Sequence, residues 1–262
     1  MRLLAAMAVV LVTPAAYAHH EAIFGPQSSL VLSAPGFLSA QVFSRRKKDG
    51  VQETTGLLSA GIRPFSSLPI SLSLIVPATY SNQPRFSMED AIVGARYRFD
   101  LDALNRATGK DGNFLLGMAA LEFPTGNTDH PAFDGPFNAL AAVLGSGEVG
   151  VFSGILYGFF KQNGPKGADV FSGAGVAWTP WDDPATERLI SFQLGLSFER
   201  RLPRAGTDGV SRLMAHPTIV WGPGSDLLVF GVVSLPITQR GNPEEQDSYR
   251  VGGGLMFLFG GH

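Results

Sequence analysis

The sequence predicts an all-β protein, a single antiparallel transmembrane β-barrel of about 12 strands that follows a cleaved signal peptide. Three observations predict it. Hydrophobic residues make up 45% of the 262 residues and Gly and Pro number 32 and 18, whereas charged residues reach only 16%, against roughly 25% in an average soluble domain. Apolar residues recur with the two-residue period at which strand side chains alternate faces. Beyond the N-terminal segment, Gly, Ser, Pro or a charge breaks every apolar run within about ten residues, too few for a membrane-crossing helix. Any crossing must be made by strands.

The first segment is an address. Arg2 supplies a positive start, Leu3 to Val12 an apolar stretch, and Ala16-Tyr17-Ala18 a small-x-small cleavage site. That apolar stretch covers only about half of a ~30 Å hydrocarbon layer, so it does not serve as an anchor. The expected organisation is a signal peptide over 1–18, a periplasmic N-terminal lead-in over 19–36, and an outer-membrane barrel over 37–262. The location expected is the outer membrane of a Gram-negative-type cell, with outer-membrane lipid as partner.

The strands follow in order. The coarse pattern gives Phe37 to Arg45, Thr54 to Pro64, Leu68 to Thr79, Ala91 to Asp100, Asn113 to Phe123 and Phe137 to Leu144. The second half continues with Glu148 to Lys161, Asp169 to Trp178, Leu189 to Arg200, Ser211 to Trp221, Asp226 to Ile237 and Tyr249 to Phe259. The cleanest alternation is in Leu189 to Arg200. Ile190, Phe192, Leu194, Leu196 and Phe198 take one face, and Ser191, Gln193, Gly195, Ser197 and Glu199 the other. In Ala91 to Asp100 only Ile92 misfits, and in the last strand Met256 and Leu258 blur the pattern. An even number of strands brings both barrel ends to one side.

The connections sort into two sets. Those expected outside the cell, Arg46 to Glu53, Tyr80 to Glu89, Pro124 to Pro136, Gln162 to Ala168, Leu202 to Val210 and Thr238 to Ser248, are mostly long and polar. On the other side Phe65 to Ser67, Gly145 to Gly147 and Gly222 to Ser225 read as tight turns, while Leu101 to Gly112 and Thr179 to Glu187 are longer.

A soluble β-sandwich also alternates, but it would carry charge on its outward faces, and here most charges lie in the connections. Aromatic residues near strand ends (Phe43, Tyr80, Tyr97, Phe99, Tyr157, Phe159, Phe198 and Phe259) suit interfacial girdles.

Lys+Arg 20 against Asp+Glu 22, without a basic stripe, excludes the electrostatic footprint of a nucleic-acid partner. The absence of cysteine excludes disulfide, zinc-knuckle, iron-sulfur and thiol chemistry. No cofactor is expected. Nor is an enzyme: Ser211 and His216 fall on opposite strand faces, and neither a nucleophile elbow nor a phosphate-cradling loop is present.

Leu121-Glu122-Phe123-Pro124-Thr125-Gly126 closes a strand, the Gly145-Ser146-Gly147 stretch precedes another, and Leu235-Pro236-Ile237 precedes the closing Tyr249-Arg250-Val251-Gly252 strand. In that order these motifs resemble the family of outer-membrane proteins named for the meta-pathway of phenol degradation, from about Phe37 onward. The resemblance implies one outer-membrane barrel with a transporter-like role. This chain departs from the usual terminal aromatic, because Gly260-Gly261-His262 follows Phe259.

On the alternation given, Arg96, Arg98, Gln193, Glu199, Arg212, His216 and Arg250 point into the barrel. They either line a pore, where arginine rings favour anions, or form an ion-pair network that plugs it. Phe152, Leu156, Phe160 and Phe230 are expected to give the interior an apolar stretch. The function expected is a passive channel or uptake protein for a small-molecule solute, hydrophobic or aromatic molecules included. The alternative is a closed structural or metal-associated surface barrel, with His19 and His20 as the candidate metal ligands. Asp129, His130 and Asp134 fall on the opposite membrane side from that pair. Oligomeric state, solute and direction of transfer are not encoded in any pattern.

Overall fold

A computed structural model of the chain describes residues 36–65, 67–82, 85–110, 112–125, 138–162, 167–183, 188–202, 209–224, 226–241 and 246–259. The expected signal peptide, His19, His20, Asp129, His130 and Asp134 lie outside the described residues.

The strands are β1 (Gly36–Lys47), β2 (Gln52–Ile62), β3 (Ile70–Ser81), β4 (Arg85–Met88), β5 (Ala91–Asp100), β6 (Phe114–Phe123) and β7 (Asn138–Val149). They continue as β8 (Phe152–Gln162), β9 (Ala168–Asp183), β10 (Arg188–Leu202), β11 (Ser211–Gly224), β12 (Leu227–Arg240) and β13 (Asp247–Phe259). All pairings are antiparallel, and β13 pairs with β1, so the sheet closes on itself. β4 and β5 both pair with β3, along Ala78 to Ser81 and Ile70 to Ile75 respectively. They share one strand position, and the 13-stranded sheet is therefore a closed barrel of 13 − 1 = 12 positions. The break has a local cause. Pro77 on β3 has no N–H to offer, and the Glu89 N–H reaches the Pro77 carbonyl at 3.0 Å from a residue that belongs to neither strand.

Closure lets the wall pair its backbone groups without water, which is what a strand-built membrane crossing needs. Leu194, Leu196, Val176, Leu72, Val42 and Leu255 are exposed on the outer wall, and the residues that alternate with them are buried or half-buried. Soluble monomers rarely expose contiguous apolar patches beyond a few hundred Å². The apolar stripes of a sandwich would stack on one another. Here they point away from a single closed sheet.

Both described chain ends lie on one rim, where Gly36 pairs with Phe259. Connections on that rim differ from expectation in three ways. Gly145 to Gly147 lies inside β7, and the turn is at Gly150, whose φ of 62° is left-handed and suits glycine. β9 runs on to Asp183, which absorbs most of the long connection read from Thr179, and β11 likewise runs on to Gly224. Between β5 and β6 stands a short helix, α1 (Asp102–Thr108). Asp102 in its first turn and the left-handed Gly109 cap at its end are ordinary helix signals that an all-strand pattern passed over.

Inside, aromatic rings lie across glycines of the neighbouring strand. A Cβ on Gly61 would overlap the Phe37 ring, one on Gly252 the Phe43 ring, and one on Gly173 the Tyr157 ring. Of the expected girdle aromatics, Tyr80, Tyr97, Phe99 and Phe198 are exposed outside, but Phe43, Tyr157 and Phe159 are buried on the inner face. Their positions are set by the strand's parity, which end-of-strand placement does not reveal.

Candidate functional site

The enclosed face divides into a charged zone and apolar sectors, each set by strand parity. At the level of Phe159 on β8, the register runs through Phe171 and Glu199 to Arg212 on β11. Glu199 accepts hydrogen bonds from Arg250 Nη1 at 2.8 Å and Nη2 at 3.0 Å, and from Arg212 Nη1 at 3.3 Å. Asp247, with 0% exposure, takes Arg250 Nη2 at 2.7 Å and faces Arg212 Nη1 at 3.6 Å. Two carboxylates and two guanidiniums so form a quartet whose formal charges cancel.

Asp247 escaped the sequence pattern, which put it in a connection. It is three residues from Arg250, a spacing that would place the two on opposite faces of a regular strand. Arg46 pairs with Tyr249 but Lys47 with Asp247, so one extra residue bulges out and turns Asp247 inward. No period-two signal carries that information.

Two inner positions along β11 from Arg212, toward the terminal rim, His216 has 0% exposure and bridges two strands. Its Nε2 is 2.7 Å from Ser197 Oγ on β10, and its Nδ1 is 2.8 Å from Ser234 Oγ on β12. A neutral imidazole, one nitrogen donating and the other accepting, satisfies both hydroxyls. The serine that meets His216 is Ser197, not Ser211, and the other ring nitrogen faces a hydroxyl where a hydrolytic triad would place a carboxylate.

Arg96 is buried with its guanidinium carbon 4.9 Å from the Phe37 ring centroid. Arg98 sits 4.2 Å above the Phe114 ring centroid and donates from Nε to Asp100 Oδ1 at 2.6 Å. Gln193 is buried between Ala177 on β9 and Thr218 on β11. The structure thus gathers Glu199, Arg212 and Arg250 into one cluster with His216 beside them. Gln193, Arg96 and Arg98 occupy other parts of the inner wall. Arg98, Arg212 and Arg250 each have a carboxylate partner, so they do not form the unopposed ring that would favour anions.

The apolar sectors are broader than the sequence suggested, and partly elsewhere. Phe152, Leu156 and Phe160 are exposed on the outer wall, while Phe230 is buried inside. The inner face of β8 is instead Ser153, Ile155, Tyr157, Phe159 and Lys161. One inner cluster joins Ile75, Ile92, Phe114, Leu116, Met118, Leu140, Leu144, Tyr157 and Phe159. A second joins Phe37, Phe43, Leu228, Phe230, Val232, Met256 and Leu258. Ile92, Met256 and Leu258, misfits in the alternation, are members of these clusters.

No group of three or more His, Asp and Glu side chains among the described residues could hold a metal ion. No family model matches this chain, and no curated protein matches it by sequence. Solved structures do match. An outer membrane channel from Pseudomonas putida F1 has a TM-score of 0.63 at 12% identity, over 87% of this chain and 97% of its own. The fold is that of an outer-membrane β-barrel. The β domain of the Bordetella autotransporter BrkA has a TM-score of 0.51 at 12% identity, over 86% and 100% of the two chains. The KdgM porin has a TM-score of 0.50 at 12% identity, over 85% and 99%. At such identity the likeness is one of fold.

Proposed function

We propose that this protein is a passive outer-membrane uptake channel for small, neutral, largely apolar molecules. The observation that carries it is the inner apolar cluster on β5 to β8. A barrel that already faces lipid with apolar side chains normally keeps its interior polar, yet here Phe114, Leu116, Met118 and Leu144 line the enclosed side. Apolar lining with few polar groups is the composition of small-molecule sites. The formal charges of the Glu199 quartet cancel, which fits a neutral solute better than an anion. The similar folds described as an outer membrane channel and a porin support the same reading. Diffusion through the lined interior is the whole mechanism; no bond is made or broken.

Purified protein in liposomes, given a fluorescent apolar solute trapped by an internal binding protein, tests this. Faster filling than in empty liposomes is the expected result. A rate equal to the blank sinks the proposal.

The buried ion-pair quartet also suits a second reading, a closed structural barrel held by its own lumen charges. Under that reading planar bilayers stay electrically silent and filling matches the blank.

A further inference from the structure

We infer that Tyr157 is the polar anchor of a binding subsite for a neutral molecule with an apolar body and one terminal hydroxyl or carbonyl oxygen. The inference rests on the uptake reading and names the class of solute. Its ground is a hydroxyl that the fold does not use.

The Tyr157 ring has an evident packing role: it pairs with Leu144 on β7 and Gly173 on β9, and lies across the glycine. Phe37 over Gly61 and Phe43 over Gly252 do the same job without an oxygen. Phenylalanine would therefore suffice at 157. Tyr157 is 4% exposed, and among the described residues its Oη has no hydrogen-bond partner. A buried hydroxyl without a partner is destabilising, and native proteins seldom retain one without a use.

The surroundings say what the use is. Leu144, Phe159 and the rest of the β5 to β8 cluster form the apolar side, and the Phe171 ring, 5.3 Å from that of Phe159, extends it onto β9. In register beyond Gly173 come Ser197 and Met214. Ser197 is engaged by His216, and Glu199, one inner position along, is held by Arg212 and Arg250. Tyr157 Oη thus stands at the border between apolar wall and polar zone, with its neighbours' bonds already committed. It can both donate and accept, so an alcohol or a carbonyl oxygen fits it, whereas a charged head would meet no uncompensated opposite charge in the quartet.

The test compares 1-naphthol with naphthalene, two fluorescent probes that differ by one hydroxyl. Binding is read by anisotropy to the protein in phospholipid nanodiscs, with empty nanodiscs as blank. Wild type should favour 1-naphthol over naphthalene, relative to Tyr157→Phe, by about 3- to 10-fold, the range of one hydrogen bond. Naphthalene binding should change little. Gly173→Ala provides a second variant, since its Cβ would sit 2.5 Å from Oη and displace it; it too should lose the preference. An unchanged ratio in a folded Tyr157→Phe barrel, checked by heat-modifiable mobility, overturns the subsite and leaves the uptake reading standing. Failure of both probes to bind wild type above the blank overturns both.

Discussion

Removing Glu199 should be among the more damaging single changes on the inner wall, and the size follows from the quartet. Among the described residues, Glu199 and Asp247 are the carboxylates paired with Arg212 and Arg250 there. Glu199→Leu leaves the group with a net charge of +1 and Asp247 shared between two guanidiniums. Breaking a buried pair from one side costs about 3 to 5 kcal/mol, and the 12% side-chain exposure of Arg212 favours the lower end. Arg250→Met should cost about the same by the same rule, with the sign of the leftover charge reversed. The double variant restores neutrality and leaves Arg212 facing Asp247 at 3.6 Å. Its loss should be close to that of either single variant, giving a coupling energy of about 3 kcal/mol in a double-mutant cycle. Urea unfolding from phospholipid vesicles reads the energies. Reversal potentials under a salt gradient read the charge, shifting toward anions for Glu199→Leu, toward cations for Arg250→Met, and back for the pair. Strictly additive losses would refute the reasoning, because they would mean that the four groups do not act as a unit.

Other expectations follow from the two faces of the wall. Leu194→Arg places a charge on the outer face of β10 and should cost roughly 2 to 4 kcal/mol of folding into vesicles, while Gln193→Arg, one residue away on the inner face, should cost much less; equal losses would reverse the assigned parity. Trp178, Trp181 and Trp221 are the three tryptophans of the chain and all are exposed on the outer wall, so brominated lipid should quench the fluorescence strongly and a soluble quencher weakly. The opposite ranking would take those strands out of the lipid. Gly252→Ala should destabilise the barrel by about 1 to 3 kcal/mol through overpacking against Phe43, and Phe43→Ala in the same chain should recover part of that loss, as a chevron or urea midpoint would record.

Much of this molecule was legible as a string. The strand from Leu189 to Arg200 declares both faces because each is chemically pure, and its inward set of Ser191, Gln193, Ser197 and Glu199 is the set found buried. β8 defeated the same method: Phe152, Leu156 and Phe160 looked like lining, but Tyr157 and Phe159 alternate with them and are equally apolar. Where both faces are greasy, a period of two carries no sign. The Gly145-Ser146-Gly147 stretch misled for a related reason, since glycine marks a turn in one context and stands inside a strand in another.

Composition, period and the placement of charge in connections were enough by themselves to determine a closed strand-built wall with lipid-compatible stripes, because those features report local geometry and solvent. Which apolar stripe meets lipid and which meets the interior was decided by the tertiary structure. So were the pairing of Asp247 with Arg250 and the setting of Tyr157. Parity along a strand is relative; it gains an absolute direction only when the sheet closes and one side becomes the inside.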